Sequence, residues 1–284
     1  MPELPEVEVL VRHLAPLIRG RKISVVDVRR ARVLRPTSID EFTRVLTGAT
    51  FVDLIRRGKY LRFTLRLPKS RETKLLIGHL GMTGRMYLLS KSDPLPKHAA
   101  VVLQLGRDQF VFEDTRYFGQ LTLDLSGIEK LGPEPLIAEF TTKQFAADLK
   151  RSAQPIKVKL LDQRLVAGVG NIYASEALFR AGISPRKPAR RLKRPQVERL
   201  WSAIRDVLIE ATEAGSTLAM TSSGRSSRKN LFYYEGSAKK PVNYEKRLRV
   251  YNRAGKPCVN CGAKIRRIVQ AARSTFYCPK CQRG

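Results

Sequence analysis

The amino-acid sequence predicts a multidomain α+β protein with a β-rich N-terminal part, a helical middle and a small C-terminal cysteine module. Three observations lead to this prediction. Short apolar segments separated by turn-forming residues follow one another from residue 23 to residue 125, which is typical of an antiparallel β-sandwich. From about Leu131 the apolar residues follow a helical period instead. All four cysteines lie close to the C-terminus.

The first predicted element is an amphipathic helix over residues 5–18. One face of this helix carries only apolar residues, with Pro5 placed in the first turn where proline is tolerated. The apolar residues are Val7, Leu10, Val11, Leu14, Leu17 and Ile18. The rhythm then changes to short segments that we predict as strands. They are ISVVDVRRARVL, TFVDLIRRG, KYLRFTLRL, KLLIGHL, RMYLLS, AVVLQLG, QFVFEDT and GQLTLDL.

The middle of the chain predicts helices, and the end predicts a hairpin. The helical candidates are TTKQFAADLKR, IKVKLLDQR, IYASEALFRAG and QVERLWSAIRDVLIEATEAG. A polar segment over residues 216–245 is typical of a long loop followed by a linker. The segments IRRIVQ and STFYC form the predicted hairpin. We therefore expect domains over residues 1–130, 131–236 and 245–284.

The charge balance indicates a polyanionic partner. The chain has 54 Lys and Arg against 25 Asp and Glu, a net charge of +29, and residues 181–284 alone hold 24 basic and 6 acidic side chains. A phosphate backbone is the expected partner, although a solubility surplus or a patch for a membrane surface gives the same balance. The sequence has neither an apolar run of bilayer length nor a basic N-terminal leader. We therefore expect a cytoplasmic protein.

The cysteines follow the pattern C-x2-C-x16-C-x2-C, formed by Cys258, Cys261, Cys278 and Cys281. Two disulfides are one interpretation. Two closely spaced pairs without a secretory leader favour one tetrahedral Zn²⁺ instead. Four thiolates leave no open position for a catalytic water, so we expect the zinc to be structural.

The N-terminus, Met1-Pro2-Glu3, could carry covalent chemistry. Initiator methionine is generally removed before a small residue, which would leave the secondary amine of Pro2. A terminal amine is less basic than lysine and therefore more available as a nucleophile near neutral pH. Glu3 lies beside it and could move protons. The alternative is that proline and acids merely favour the start of a helix.

The segment VAGVGNIYASE predicts a tight turn and then a helix capped by Asn171. The start of such a helix offers backbone N–H groups to a phosphate. A plain helix–turn–helix in a core is the alternative, and the net charge favours phosphate.

Several loops of the β-rich part carry further candidates: Lys59, His79, Met82, Arg116 and Phe118. Met82 and Phe118 adjoin glycines, so they are candidate wedges for a base stack as well as candidate core residues. Arg273 lies between the two cysteine pairs, where a hairpin would present its guanidinium to a phosphate or a groove, unless it only adds bulk charge.

Together these segments resemble one family, the bacterial formamidopyrimidine-DNA glycosylases, which belong with the endonuclease VIII-like enzymes. The segments PELPEVE, RRGKYL, HLGMTG, TRYFG, LLDQRLVAGVGNIYASEALF and VYNRAGKPC and the cysteine module occur in the family's order. The resemblance covers essentially the whole chain. It implies an N-terminal β-sandwich, a helix-two-turn-helix domain and a C-terminal zinc finger, and an enzyme that acts on damaged double-stranded DNA at the bacterial nucleoid. The sequence has no coiled-coil pattern, so a monomer is the default expectation.

The resemblance also implies roles for individual residues. Pro2 is similar to the nucleophile at C1′ of the damaged nucleotide, Glu3 to the proton-transfer acid and Lys59 to the essential lysine. Asn171 and Arg273 are similar to residues that grip the phosphates beside the lesion, and Arg273 is also tied to the second elimination. Further implied DNA contacts are Met82, Arg116 and Phe118, which fill the space left by the extruded base, and His79, His98, Arg151 and Lys157.

The implied activity is bifunctional. The enzyme would excise oxidised purines, formamidopyrimidines and 8-oxoguanine, through a Schiff base on Pro2, and would cleave the strand by β,δ-elimination. Two departures from the family pattern bear on specificity: Thr115 and Tyr117 stand where the family has Pro and Arg, and the stretch after Gly215 is long and basic. One alternative is an endonuclease VIII-like preference for oxidised pyrimidines, which Leu4 disfavours. The others are a non-catalytic DNA-binding protein and an RNA- or ribosome-binding protein.

Overall fold

A computed structural model describes residues 2–215, 221–222, 232–233 and 247–283 of the chain. The contacts within it divide these residues into two compact units. The first unit comprises residues 2, 6–129, 221–222 and 232–233, and the second comprises residues 3–5, 130–215 and 247–283. The expectations for Met1 and for most of the 216–245 segment lie outside the described residues.

The first unit is a β-sandwich with an N-terminal helix. Helix α1 spans Leu4–Ile18, and the strands β1 to β8 span Val25–Val28, Thr50–Arg57, Tyr60–Arg66, Thr73–His79, Arg85–Ser90, Ala99–Leu105, Asp108–Glu113 and Gln120–Thr122. One antiparallel sheet has the order β1-β6-β7-β5 and the other β2-β3-β4-β8. The apolar residues that alternate along the strands lie buried in one core together with the apolar face of α1.

Two elements of this unit differ from the sequence expectation. The segment 23–34 forms a strand only over Val25–Val28 and then a 3₁₀ turn over Ala31–Leu34. An additional helix, α2, spans Ile39–Leu46. Its first turn is capped because the backbone N–H of Glu41 donates to the Ser38 hydroxyl. A short helix, α3, spans Ser126–Glu129, and strands β9 (Thr221–Ser222) and β10 (Phe232–Tyr233) pair antiparallel.

The second unit is helical. Helices α4 to α7 span Thr142–Lys150, Ile156–Leu160, Asn171–Arg180 and Arg194–Glu213. Helices α6 and α7 bury their apolar faces in one core, to which Leu4 also belongs. The Trp201 ring stacks on Phe140, and its indole N–H donates to the Phe140 carbonyl at 2.8 Å. A large amphipathic side chain thereby closes the core with its polar atom satisfied.

The C-terminal part of this unit is a hairpin next to the four cysteines. Strands β11 (Arg266–Gln270) and β12 (Arg273–Tyr277) pair antiparallel, and Val250, Ile265 and Phe276 pack with Cys258 and Cys278. The predicted α+β class, with a sandwich, a helical part and a zinc-finger hairpin, is confirmed. Among the described residues, no helix combines the length and the apolarity that a bilayer crossing requires.

The carboxylate of Glu176 on α6 holds the chain that enters this hairpin module. It accepts the backbone N–H groups of Arg249, Val250 and Tyr251 at 2.8–2.9 Å. Burial raises the pKa of the Glu176 carboxyl, while the three N–H groups act in the opposite direction. A buried acid on a helix therefore serves as an acceptor for an irregular segment 73–75 residues further along the chain.

We predict that Glu176→Ala loosens the C-terminal module. Three N–H groups lose their acceptor, at a cost of about 3 kcal/mol. A chelator should then extract zinc faster than from the wild-type protein. The matched control is Glu198→Ala on α7, because Glu198 makes a single exposed ion-pair contact with Arg194 and such pairs contribute below about 1 kcal/mol. Equal rates of zinc release from the two variants would contradict the role of Glu176.

Candidate functional site

The Glu3 side chain occupies the N-terminal end of helix α6. Its carboxylate accepts the backbone N–H of Ile172 at 2.9 Å and of Tyr173 at 3.3 Å, and Glu3 is almost fully buried. The expectation that these N–H groups are free for a phosphate is therefore wrong in this structure. Asn171 is also not the N-cap, since Gly170 holds that position and Asn171 is the first helical residue.

Two glycines of the VAGVGN turn make room for the N-terminal segment. A Cβ atom on Gly170 would collide with Cδ of Glu3, and one on Gly168 would lie 2.7 Å from the Leu4 side chain. Gly168 also has φ +87°, a conformation that favours glycine. The N–H of Leu4 donates to the Gly168 carbonyl at 3.1 Å. The turn therefore admits residues 3 and 4 because it lacks side chains.

Lys157 and Asn171 form hydrogen bonds with each other and with the backbone of β12, and we call this set of contacts the phosphate-grip network. The Lys157 ammonium donates to the Asn171 Oδ1 atom and, at 3.3 Å, to the Ser274 carbonyl, which also accepts Asn171 Nδ2 at 3.0 Å. The pKa of Lys157 is lowered to about 8, mainly by burial; the Glu3 charge acts in the opposite direction, and the Arg273 charge adds to the lowering. The structure thus brings Asn171 to the β-hairpin beside Arg273.

Lys157 itself is completely buried, so this structure does not present it as a surface contact for DNA. Its ammonium hydrogens bind protein oxygens, and Lys157 therefore positions Asn171 and the hairpin. Arg151, at the end of α4, is exposed and forms an ion pair with Asp148. Arg151 therefore pairs with an acid of its own helix, while Lys157 bonds to Asn171 and Ser274 in another part of the same unit.

Pro2, Lys59 and His79 belong to the first unit. Pro2 is buried, and Lys59 is nearly buried in the turn between β2 and β3. The His79 ring lies 4.6 Å from the Tyr60 ring, and its Nδ1 atom accepts the N–H of Gly81 at 3.1 Å. Burial, with the charge of Lys59, lowers the pKa of His79 to about 4. His79 is thus neutral at physiological pH.

The three wedge candidates meet in one exposed cluster. The Arg116 guanidinium lies 4.7 Å from the Phe118 ring centroid, and its Nη1 atom lies 3.3 Å from the Met82 sulfur. Met82 and Phe118 are 45% and 48% exposed, so both apolar side chains lie open to solvent. Exposed apolar groups beside a cation suit contact with unstacked bases.

A buried carboxylate holds the two loops of this cluster. Asp114 is fully buried and accepts the Thr83 hydroxyl at 2.5 Å, the Gly119 N–H at 2.7 Å and the Arg116 N–H at 3.1 Å. It therefore fixes the loop of Met82 and the loop of Phe118 relative to each other.

Tyr117, one of the departures from the family pattern, lies among cationic and imidazole groups. It has φ +52°, which is strained for a tyrosine. Its hydroxyl lies 3.3 Å from Arg30 Nε and 3.4 Å from His98 Nδ1, and the Arg30 guanidinium lies 5.6 Å from its ring. Tyr117 thereby contacts Arg30, which comes from another segment of the first unit.

The four cysteine sulfurs lie within 4.8 Å of one another. The Cys258–Cys281 and Cys261–Cys278 sulfur distances are 3.8 and 3.5 Å, far beyond the ~2.05 Å of a disulfide. Tetrahedral Zn–S bonds of ~2.3 Å place sulfurs about 3.8 Å apart. The donor set fits one structural Zn²⁺, and the zinc prediction is confirmed.

Sequence reasoning missed Asp114 and Glu176. Both are acids inside otherwise ordinary segments, and an acid in such a place usually faces solvent. Only the neighbouring residues indicated that these two acids are buried. Asp114 precedes a glycine-containing turn, and Glu176 follows the VGN turn on a helix whose other residues are mostly apolar.

Three protein-family profiles match the chain. They are the formamidopyrimidine-DNA glycosylase N-terminal domain over residues 1–121, the H2TH domain of the same glycosylase over residues 131–223, and the zinc finger found in FPG and IleRS over residues 255–284. Relatives named formamidopyrimidine-DNA glycosylase are similar over their full length. The protein of Carboxydothermus hydrogenoformans is 39% identical, with 100% of both chains covered, and that of Thermus thermophilus is 41% identical, covering 99% of this chain and 98% of its own.

Solved structures of the Lactococcus lactis enzyme are also similar. A point mutant of that enzyme in complex with DNA containing Fapy-dG has a TM-score of 0.85 and 34% identity, with both chains fully covered. A complex with DNA containing an abasic site has a TM-score of 0.83 and 33% identity, covering 99% of this chain and 100% of the other. The similarity extends through both units and the cysteine module.

We predict that acid destabilises the wild-type protein more than a His79→Gln variant. The His79 pKa is about 4 in the folded protein against 6.5 ordinarily. Between these values the unfolded chain binds a proton that the folded protein does not, so stability falls as the pH falls. The free energy of unfolding in urea should lose up to about 3 kcal/mol from this group between pH 6.5 and 4.

The control for this measurement is His13→Gln, which keeps His79 and changes an exposed histidine of α1. It should retain the wild-type pH dependence. The assignment to His79 is wrong if His79→Gln and the wild-type protein lose stability in parallel.

We further predict that Asp114→Ala releases the Met82 and Phe118 loops. Two backbone N–H groups and a hydroxyl lose their acceptor, at a cost of about 3 kcal/mol. Limited trypsin digestion should cut after Arg116 faster than in the wild-type protein. Asp40→Ala, an exposed acid in the first turn of α2, should leave this cleavage unchanged. Resistance of the Asp114 variant would show that other contacts hold the loops.

Proposed function

The chain belongs to the formamidopyrimidine-DNA glycosylase family, and from that premise we propose that it is a bifunctional DNA repair enzyme. It removes oxidised purines, formamidopyrimidines and 8-oxoguanine, from duplex DNA and then cleaves the strand at the resulting site. The amine of Pro2 is the nucleophile in this proposal, and its exposure as a terminal group requires removal of Met1. The protein works as a monomer in the cytoplasm at the nucleoid. The structural zinc takes no part in the chemistry.

The observation that carries the proposal is the position of Glu3 at the start of α6. Two backbone N–H groups hold its carboxylate, so the residue next to Pro2 in the chain has a defined place instead of belonging to a free terminus. A proton-transfer group must be held within hydrogen-bond reach of the reacting atoms. Burial of both Pro2 and Glu3 also supports chemistry in a site that excludes water.

The proposed reaction proceeds in four steps. The lesion is first flipped out of the duplex, because C1′ is out of reach inside the stack. The Pro2 nitrogen then bonds to C1′ as the C1′–base bond breaks, and the proton of the Pro2 amine passes to the departing base. Protonated Glu3 next gives its proton to the ring oxygen, and the C1′–O4′ bond breaks to form the iminium. The resulting iminium has no N–H to lose, so it stays cationic and acidifies C2′. Loss of a C2′ proton expels the 3′ phosphate, and a second proton loss expels the 5′ phosphate.

The remaining site residues are proposed to hold the DNA. Met82, Arg116 and Phe118 occupy the space that the extruded base leaves, as their shared exposure supports. Asn171 and Arg273 bind the phosphates beside the lesion, with Lys157 fixing Asn171 from within the protein. We further propose that Lys59 assists the eliminations. Its side chain is nearly buried, so its ammonium has little freedom to move.

A second specificity, for oxidised pyrimidines, is included because a solved relative accommodates such DNA. The wild-type Lactococcus lactis enzyme, 32% identical to this chain, has been captured with DNA containing an oxidised pyrimidine. Thr115 and Tyr117 lie in the loop of the wedge cluster, where they bear on the base opposite the lesion. Rates on 8-oxoguanine and thymine glycol duplexes, measured side by side, rank the two specificities.

We predict that borohydride traps the protein on a duplex with 8-oxoguanine opposite cytosine and on an abasic-site duplex. Pro2→Gly should lower the yield by about 100-fold or more, equivalent to roughly 3 kcal/mol in the barrier, while DNA affinity is kept. Pro68→Gly, at an exposed proline, is the control and should trap normally. Mass spectrometry first confirms the loss of Met1.

The outcomes separate the parts of the proposal. Trapping on the abasic site alone supports the lyase and rejects the proposed base preference. Wild-type trapping by Pro2→Gly rejects the nucleophile. Absence of trapping on both duplexes, with Met1 removed, leaves a DNA-binding protein without this chemistry.

A further inference from the structure

A basic segment of the second unit runs alongside the start of α5. The carbonyl of Pro185 accepts the N–H of Lys157 at 3.4 Å, and the carbonyl of Lys187 accepts the N–H of Ile156 at 2.8 Å. At the other end, the N–H of Arg190 donates to the Ser152 carbonyl at 2.9 Å. Backbone hydrogen bonds thus fix this segment, although only residues 189–191 form a regular turn.

Four cations project from this segment, and we name them the cationic ribbon: Arg186, Arg190, Arg191 and Lys193. All four are exposed. None forms an ion pair with a carboxylate among the described residues, whereas the neighbouring Arg194 is paired with Glu198 at 3.0 Å. An unpaired row of cations on a fixed backbone is open to a polyanion.

The ribbon starts at the phosphate-grip network. The Pro185 carbonyl, which accepts the Lys157 N–H, also accepts Gln270 Nε2 from the hairpin at 3.3 Å. Arg186 lies over the Tyr277 ring at 5.7 Å, so the first cation of the ribbon is held against the strand that carries Arg273. From there the segment continues to Arg190, beside the end of α4.

We propose that the cationic ribbon is a second phosphate-binding surface, which holds the backbone of duplex DNA beyond the nucleotides that Asn171 and Arg273 grip. The choice of duplex DNA as partner rests on the proposed function. Three features favour it: the ribbon continues from that grip, its backbone is rigid, and arginine, which binds phosphate with a planar pair of donors, supplies three of its four cations. The ribbon contacts phosphates only, and it therefore strengthens binding to damaged and undamaged DNA alike.

The test is a salt series with lesion-free duplex DNA and a triple variant, Arg190→Gln, Arg191→Gln and Lys193→Gln. Each lost phosphate contact removes about 0.9 from the slope of log affinity against log salt. The slope should become shallower by about two to three, and affinity in low salt should fall by about tenfold or more. A charge-keeping variant, Arg190→Lys with Arg191→Lys, should keep most of the wild-type slope. The shallower slope of the triple variant is then due to the lost charges and not to substitution at these positions as such.

The matched control removes the same charges elsewhere: Arg71→Gln, Lys91→Gln and Arg107→Gln. All three are exposed. Lys91 and Arg107 adjoin the paired Ser90 and Asp108 at one end of β5 and β7. Arg71 lies between the paired Arg66 and Thr73, at the end of β3 and β4 opposite to Tyr60 and His79. This control should change affinity by less than about threefold, since only net charge is altered.

Equal losses in the ribbon variant and the control variant would overturn the proposal, as would an unchanged slope in the ribbon variant. Selective loss of binding to single-stranded RNA or to vesicles of phosphatidylglycerol, with duplex binding kept, would also overturn it. Because the duplex carries no lesion, failure of the Pro2 chemistry does not affect this result. Conversely, an enzyme that traps normally but keeps its slope in the ribbon variant rejects the ribbon alone.

Discussion

The hydrogen bonds from the first turn of α6 to the Glu3 carboxylate are the interaction on which the proposed active site depends. They bring the N-terminal segment into the second unit, where Leu4 joins the core and bonds to Gly168. The constraint is steric as much as electrostatic, since a side chain on Gly168 or Gly170 would take the volume of residues 3 and 4. The first role of the VAGVGN turn is therefore to leave space for residues 3 and 4 of the N-terminal segment.

Three buried acidic residues serve a common purpose in this strongly basic protein. Glu3, Asp114 and Glu176 are each buried, and each accepts two or three backbone or hydroxyl hydrogens from an irregular segment or a helix start. They stabilise the start of α6, the wedge loops and the entry to the zinc module. Because these acids are turned inward, they do not neutralise surface cations. The same few carboxylates therefore give order to loops and leave the positive surface available for phosphate.

The sequence predicted what depends on local pattern. The strands, the helices α1 and α7 and the cysteine spacing all follow from periodicity or from ligand geometry. Helix α2 was missed although Ser38 provides a cap, because a helix of eight residues shows its apolar period for only about two turns. Contacts across long separations escaped prediction: nothing local tells that Glu3 binds Ile172, that Asn171 turns to Ser274 or that Lys157 is buried. A lysine in a sequence is expected in water, and only the fold shows otherwise.

The separation between Glu3 and its partners has a consequence for the order of folding. Residues 3 and 172 lie 169 positions apart, so their contact closes a very long loop, and contacts of this kind form after local ones. The strands of the sandwich and the helices of the second unit can assemble before it. The N-terminal segment that carries the proposed nucleophile is therefore expected to be organised late, so that an incompletely folded molecule lacks an assembled centre for the proposed chemistry.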